Sequence, residues 1–366
     1  MTDVENITPE VGDTHNFGKF TQLKVINNKR YYIKHRPLIW EWLFMDSNSP
    51  LCHSLKKKFP ENFILSTFGL KVSQPIMQRP GMVEEVKGII NFKDIIRTEE
   101  SYYNLGNQCA YYSAFGIKDL LLENFKIVNG GIQLIDAECV LYNTSELEDS
   151  YLIPQQGTIF NASFSLFPFF FELQNKDLFN FLIIGFIEGI LKINNARAEL
   201  SSIISEVLDM YPHAPIRVLL RSTAEYDLYL DQNISPSFPF IHEELVQLKR
   251  KDFPYFFRMP SREGVFYYVS EDYEEKKVEI QKLQSPIEAF EPLHDPKIFL
   301  NPTRLLNILL WRGIISLCRL TGVGVKTGFF HKSDLMEACI ANKKITIKSI
   351  YGDDITLPLL LNIKNK

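Results

Sequence analysis

The sequence predicts an α+β fold in two lobes, a β-rich N-lobe over residues 1–110 and a mostly helical C-lobe over residues 111–366, forming one unit. Three observations carry this expectation. Residues Leu23–Lys34 (LKVINNKRYYIK) are two β-rich runs around an Asn-Asn turn, which is hairpin chemistry. The short apolar runs Asn124–Val128 and Ile132–Ile135 are joined by Asn129-Gly130-Gly131, a second hairpin that leaves Asp136 at its exit. Beyond residue 178 the apolar residues recur mostly with helical spacing.

The elements follow in order. Pro37 closes the first hairpin, and Trp40–Phe44 begins a helix. Val83–Ile96 and Tyr102–Leu122 carry helical periodicity, weakened in the second by Gly106 and Gly116. Leu178–Ile193 and Ala198–Met210 read as two helices joined through the polar residues 194–197. A third, Ile216–Leu230, is opened by Pro215, which suits a first helical turn. Val265–Val269 reads as a strand. Asn301–Leu320 reads as a helix, with Asn301 as the cap before Pro302. The tail, Ile345–Leu361, reads as β structure. No internal repeat or low-complexity linker divides the chain.

Composition narrows the function classes. Of 366 residues, 45% are hydrophobic and 23% charged, and 28 are Phe, so a large core can be buried. The net charge of −4 comes without a long block of one sign. That leaves neither the basic footprint of a nucleic-acid binder nor a polybasic membrane patch. The apolar stretches Phe164–Phe171 and Phe179–Ile193 are separated by Asn175, Lys176 and Asp177, and Glu188 interrupts the second. Neither reaches the roughly 18 uninterrupted apolar residues of a membrane span, so a buried core helix is expected. The five cysteines are widely spaced, without a CxxC pair. A reducing cytoplasm without structural disulfides or zinc is the expectation.

The chemistry concentrates in Asp119-Leu-Leu-Leu-Glu123-Asn124 and Ile135-Asp136. An Asp, an Asn five residues on, and a second Asp after a hairpin form a loop pattern suited to phosphoryl transfer. The first Asp orients a hydroxyl and takes its proton; the Asn and second Asp are hard oxygen ligands for Mg²⁺. Lys34, at the end of a strand, is placed to contact nucleotide phosphates. Each residue alone also has an ordinary structural use: Asp119 as a turn cap, Asn124 in an Asx-turn, Lys34 in solvent. A second segment, Gly12-Asp13-Thr14-His15-Asn16-Phe17-Gly18-Lys19, is a polar loop whose glycines let backbone N–H groups approach phosphate and whose His15 titrates near neutrality. A third, Arg217-Val-Leu-Leu-Arg221-Ser-Thr223-Ala-Glu-Tyr226, puts Arg217 and Arg221 on one helix face, where guanidinium forks suit phosphate. A solvated basic stripe is the alternative.

Together and in this order, these segments resemble the dehydratase domain of the class II lanthipeptide synthetases, the LanM family. Gly12, Asp13, His15 and Gly18 match its Gly-Asp-x-His-x-x-Gly loop. Tyr-Ile-Lys34-His-Arg36 is similar to its Tyr-Lys-Pro-Arg strand. Asp119 to Asn124 resembles its Asp-x-His-x-Glu-Asn loop, and Ile135-Asp136-Ala-Glu138 its Ile-Asp-x-Glu segment. Arg217, Arg221, Thr223 and Tyr226 match its Arg-x₃-Arg-x-Thr-x₂-Tyr pattern. Gly185-Phe-Ile-Glu-Gly189 and Asp252-Phe-Pro-Tyr255-Phe256 also have counterparts. The matches run from about residue 12 to residue 258.

The resemblance implies a lipid-kinase-like two-lobed fold and a two-step reaction. ATP phosphorylates Ser or Thr of a precursor peptide, and elimination of phosphate then gives dehydroalanine or dehydrobutyrine. By position, Lys34, Asp119, Asn124 and Asp136 serve phosphorylation, with Asn124 and Asp136 on Mg²⁺. Arg217 and Thr223 serve elimination, Arg217 and Arg221 bind phosphate, and Asp13 and His15 share the pocket. Leu121 stands where the family has a His. The family's long N-terminal portion and its zinc cyclase domain are not expected here, so a separate cyclase is the expected partner of any ring-forming route. Two other readings stay open: a kinase or phosphate lyase performing half the reaction, with Leu121 arguing for the lyase, and an inactive pseudokinase that binds a peptide or a partner protein. Arg258 and Arg262 fall where a solvated loop is expected, with extension of a phosphate or peptide site as the alternative.

Overall fold

The computed structural model describes residues 11–60, 65–73, 75–88, 98–128, 131–144, 147–150, 152, 176–221, 223–232, 234, 239–279, 300–321, 335–341, 344–349 and 355–358. It is a mixed α and β structure. An antiparallel sheet opens the chain: β1 (Val11–His15), β2 (Lys19–Ile26), β3 (Lys29–Lys34) and β4 (Gly81–Glu84), in that order. Asn27 and Asn28 close β2 onto β3 with φ of 52° and 62°, the left-handed pair that a two-residue hairpin turn requires. The register pairs Ile26 with Lys29 and Gln22 with Ile33, which leaves Lys34 at the strand's end opposite Gly81 of β4.

Helices α1 (Ile39–Met45) and α2 (Pro50–Lys58) follow. Ser49 caps α2 through the Cys52 amide ahead of Pro50, which needs no donor at the first helical position. Helix α3 (Glu99–Ala114) starts at a capping box between Thr98 and Ser101. It contains residue 110 and ends well before Leu122, because Gly116 takes φ of 57° in a turn against the Tyr142 backbone. The hairpin β5 (Phe125–Val128) and β6 (Gly131–Leu134) pairs Phe125 with Leu134; its Asn129-Gly130 turn lies outside the described residues.

Helix α4 (Lys176–Met210) packs along α3. Gly106 and Gly185 let the two backbones meet: a Cβ on Gly106 would sit 2.1 Å from the Leu182 carbonyl oxygen, and one on Gly185 would sit 2.0 Å from that of Tyr103. Buried residues of α1, α2, α3, β5, β6 and α4 form one hydrophobic core. A second antiparallel sheet runs in the order β10 (Glu275–Lys277), β9 (Arg262–Tyr268), β8 (Phe256–Met259), β7 (Ile216–Val218), with α5 (Thr223–Gln232) and α6 (His242–Leu248) between β7 and β8 in sequence. Then come α7 (Thr303–Leu309 in π form, Leu310–Thr321 in α form) and an antiparallel sheet of β11 (Leu335–Ala341), β12 (Lys344–Ser349) and β13 (Ile355–Pro358).

Several sequence expectations change. Residues 11–18 are a strand and turn, not a loop, since β1 pairs with β2. Val83 lies in strand β4, paired with Tyr32, and residues 85–88 are not helical. Its alternating burial is a strand pattern that helical spacing imitated. Residues 89–96 lie outside the described part. The two helices expected around 194–197 are one helix of 35 residues. No Gly or Pro breaks it there; Asn195 and Arg197 turn outward while Ile193, Ala196 and Leu200 stay buried on one face. Ile216–Leu230 is not one helix: the β-branched Ile216 and Val218 enter β7, and α5 begins only at Thr223. Arg217 and Arg221 therefore share no helix face. Asn301 does hold the start of α7, its Oδ1 accepting from the Thr303 amide at 2.8 Å. Arg258 and Arg262 sit in β8 and β9 rather than a loop; Arg258 is buried, and Arg262 pairs with Glu275 at 2.8 Å. Phe164–Phe171 lies outside the described residues, whereas Leu182–Ile190 is core. Among the described residues, no helix is long and apolar enough to cross a membrane.

Candidate active site

Two hairpins and one strand edge assemble the site. The β5–β6 ladder extends by one bond, Ile135 N–H to the Asn124 carbonyl at 2.8 Å, which places Asn124 opposite Ile135 at the hairpin's open end, one residue before Asp136. Lys34 arrives from β3, and His15 from β1. Arg217 comes from β7, whose amide bonds the Glu138 carbonyl at 3.2 Å. The result is one cavity of about 520 Å³. His15, Lys34, Asp119, Asn124, Asp136 and Arg217 all line it. That volume lies within the range of small-ligand sites, about 300–1,000 Å³.

An alternating chain of charge crosses the cavity floor. Lys34 Nζ lies 2.7 Å from Asp136 Oδ2 and 3.7 Å from Glu41 Oε1. The Arg36 guanidinium binds Glu41 and Asp136, and its Nε lies 2.8 Å from Glu138. Glu138 in turn binds the Arg217 guanidinium. Desolvation would raise the carboxyls of Asp136 and Glu138. The cations outweigh it: Lys34 and Arg36 hold Asp136 below the usual range, and Arg217 and Arg36 do the same for Glu138. Both are therefore anionic at neutral pH. Arg217 Nε is buried without a hydrogen-bond partner among the described residues, so this guanidinium retains donor capacity.

Asp119 differs from the other acids. Its backbone holds φ of 61°, uncommon for a non-glycine residue, and the Asn124 side-chain amide braces it by donating to its carbonyl at 2.8 Å. Desolvation, reinforced by Glu138, Asp136 and Glu123 and opposed by Arg217, pushes its carboxyl up to about 7. A proton acceptor poised near neutrality is what general-base chemistry needs. His15 goes the other way. Burial, with the Arg217 charge behind it, lowers it to about 4. Its Nδ1 lies 2.8 Å from the Phe253 carbonyl oxygen. A carbonyl only accepts, so Nδ1 carries the hydrogen and Nε2 is left with its lone pair.

Asn124 and Asp136 both line the cavity with oxygen donors of the kind Mg²⁺ takes, the two oxygens of Asp136 being paired with Lys34 and Arg36. Asn124 donates from its NH₂ to the Asp119 carbonyl, which leaves its Oδ1 as an acceptor, and Asp136 lines the same cavity. Mg²⁺ is usually held by one or two such oxygens plus phosphates rather than by a full protein cage. Among the described residues, no group of three or more His, Cys, Asp or Glu is placed to hold a metal ion.

Other sequence-derived candidates stand differently. Arg221 does not line the cavity; its Nε pairs with buried Glu244 at 2.7 Å and its Nη2 donates to the Pro239 carbonyl. Thr223 is the first residue of α5 and Asp13 lies within β1, but their side chains lie outside the described part. Leu121 is not a lining residue; its carbonyl accepts from the Asn124 amide at 3.0 Å. Sequence reasoning assigned no role to Arg36, Glu138 or Tyr255 and passed over Glu41. The last had a signal: a lone acid in the apolar run Ile39–Met45 is a charge destined for burial with a partner. No protein-family model matches the chain, and no curated protein matches it.

Proposed function

We propose that this chain is an ATP- and Mg²⁺-dependent dehydratase that phosphorylates Ser or Thr of a peptide and then eliminates the phosphate, on a lipid-kinase-like two-lobed scaffold. The observation that carries the proposal is the shared cavity: the residues suited to phosphoryl transfer and the arginine suited to a leaving phosphate line the same 520 Å³. LanM-like motifs in the same order support it.

In the first step the substrate hydroxyl attacks the γ-phosphorus of ATP, the bond to the β-phosphate oxygen breaks, and ADP leaves. Asp119 orients the hydroxyl and accepts its proton. Lys34 meets phosphate oxygens as a mobile point charge. Mg²⁺ held by Asn124 and Asp136 would offset phosphate charge. In the second step the Cα proton passes to a base and the Cβ–O bond breaks. His15 presents an unprotonated Nε2 in the same cavity, and Arg217 meets the departing phosphate, a far better leaving group than hydroxide. Asp13 and Thr223 keep their motif-based roles in this proposal, whereas Arg221, paired with Glu244 away from the cavity, gives up phosphate binding and holds the segment that leads into α5. The partners are a Ser/Thr-containing precursor peptide and, where rings form, a separate cyclase. The setting proposed is cytoplasmic, where the free thiols of Cys52, Cys109 and Cys139 stay reduced.

A half-reaction enzyme is the second reading, and Leu121, which lacks both charge and donor in the phosphorylation loop, favours its lyase form. Mass spectrometry of a Ser/Thr peptide incubated with ATP and Mg²⁺ separates the two. Loss of water is the expected result. Gain of phosphate alone identifies a kinase. Loss of phosphoric acid from a prephosphorylated peptide, without any ATP-dependent change, identifies a lyase. No change in any arm and no ATP-dependent thermal shift overturns every catalytic reading and leaves the pseudokinase.

A further inference from the structure

The turn between β1 and β2 carries an unusual backbone. Asn16, Phe17 and Gly18 are three consecutive residues with positive φ, 49°, 73° and 74°. Successive left-handed residues aim their amides into a common concavity, which attracts an anion. Here the anion belongs to the protein. Asp252, fully buried, accepts from Phe17 N–H at its Oδ2 and from Gly18 N–H at its Oδ1, each at 2.8 Å. Arg250 adds a third donor to Oδ2 at 3.1 Å and lays its guanidinium 3.9 Å from the centre of the Phe17 ring. These amides are therefore spoken for, and the glycine turn is not itself a phosphate cradle.

The same segment grips the strand on the other side of the turn. Phe253 N–H donates to the Thr14 carbonyl, and Thr14 Oγ1 donates to the Lys251 carbonyl, both at 2.8 Å. The Phe253 carbonyl takes the His15 Nδ1 hydrogen, and the His15 ring stands edge-on to Phe253 and Tyr255 at 6.1 and 5.8 Å. Buried Gln247 of α6 anchors the segment by accepting the Asp252 amide at its carbonyl and the Tyr255 amide at its side chain. Asp252 itself is not a lining residue of the cavity.

We propose that Asp252 is a positioning residue: by filling the amide concavity of the Asn16–Gly18 turn, it fixes His15 in one orientation and one tautomer inside the cavity. Two non-glycine residues in the left-handed region are strained and persist only where neighbours hold them. The buried carboxylate is that hold. Its consequence for turnover rests on the function proposed above; its hold on His15 does not.

The test is ¹⁵N NMR of the full chain labelled at histidine, as wild type and as Asp252→Ala and Asp252→Asn. In the wild type, His15 is expected as the Nδ1–H tautomer, titrating at about 4. In Asp252→Ala the ring is released, tautomers mix, and titration moves up toward the free value near 6.5. The direction discriminates, because loss of the Asp252 charge alone would move His15 further down. Asp252→Asn keeps one acceptor and is expected between the two. A folded Asp252→Ala whose His15 titration is unchanged or lower overturns the proposal. Should neither variant fold, hydrogen exchange of the wild type decides: at least 100-fold protection of the Phe17 and Gly18 amides is expected, and exchange at free-peptide rates overturns it. If the wild type shows no dehydration, the proposed function fails while the His15 result stands.

Discussion

Lys34 Nζ and Asp136 Oδ2 lie 2.7 Å apart, so the ammonium at the end of β3 and the carboxylate at the exit of the β5–β6 hairpin neutralise one another. This pair ties the first sheet to the loop chemistry of the second half of the site. Lys34→Met leaves Asp136 and Glu41 to Arg36 alone. The expected effect is a stability loss of about 1–3 kcal/mol by denaturant titration, since a largely buried pair loses one member. Phosphopeptide formation, followed by mass, is expected to fall by at least 100-fold.

In the proposed reaction the same pair would govern metal affinity. Lys34 and Arg36 already occupy both oxygens of Asp136, so Mg²⁺ alone must compete with them. Phosphates bring the negative charge that lets the cations turn to them. Thermal shift is expected to show almost no response to Mg²⁺ without nucleotide. With ATP and Mg²⁺ together, saturation at about 100 times Kd corresponds to roughly 2.7 kcal/mol of stabilisation. EDTA is expected to remove that gain.

Asp119 sets a pH dependence whose sign follows from its raised carboxyl. As the proton acceptor it must be ionised, so the rate of phosphorylation should rise with pH and level off above about 7. For stability the sign reverses. The folded state holds the Asp119 proton more tightly than the unfolded chain does, so its contribution is full below about 4 and is lost as pH rises through about 7. Asp119→Asn should therefore raise the melting temperature at pH 8 relative to wild type, by about 2–4 °C per kcal/mol, with a smaller gain or a loss at pH 4. It should abolish phosphorylation in the same samples.

Arg217 and Asp136 should separate the two steps. Arg217→Ala is expected to let phosphopeptide accumulate, whereas Asp136→Ala stops before it. Arg217→Lys should rescue poorly, because one ammonium cannot both pair with Glu138 and present a guanidinium fork. An unchanged product pattern in Arg217→Ala contradicts the two-step assignment.

Glu41 is fully buried and serves Arg36 and Lys34 together. Glu41→Gln removes the charge at nearly constant volume. A loss of about 1–3 kcal/mol is expected, with weaker ATP binding than wild type in a titration, because both cations lose their anchor.

Much of the site was legible because its residues are tied to local chemistry. The Asn27-Asn28 turn and the Asn124–Asp136 spacing both depend on short-range hairpin rules, and the structure keeps both. What escaped depends on distant partners. Arg217 read as helical from its four-residue spacing to Arg221, yet pairing of β7 with β8 overrides that spacing. Glu41 and Glu138 acquire meaning only once Arg36 lies between them, and neither spacing nor periodicity encodes that meeting. The turn at Gly18 looked like a phosphate loop because Asp252, more than two hundred residues on, is invisible to local reading.

Helix α4 carries a further consequence. Its N-terminal half meets α3 backbone to backbone at Gly185, while Lys58 at the end of α2 donates to the Asn195 carbonyl at 2.7 Å near its middle. Since each residue turns a helix by about 100°, one residue inserted near 195 would rotate everything beyond it by that angle. Ala196, Leu200 and Ile204 would then swing out of the core. The helix behaves as a keyed shaft, tolerant of exchanged surface letters but intolerant of any change in count, so length variation in this protein should fall outside it.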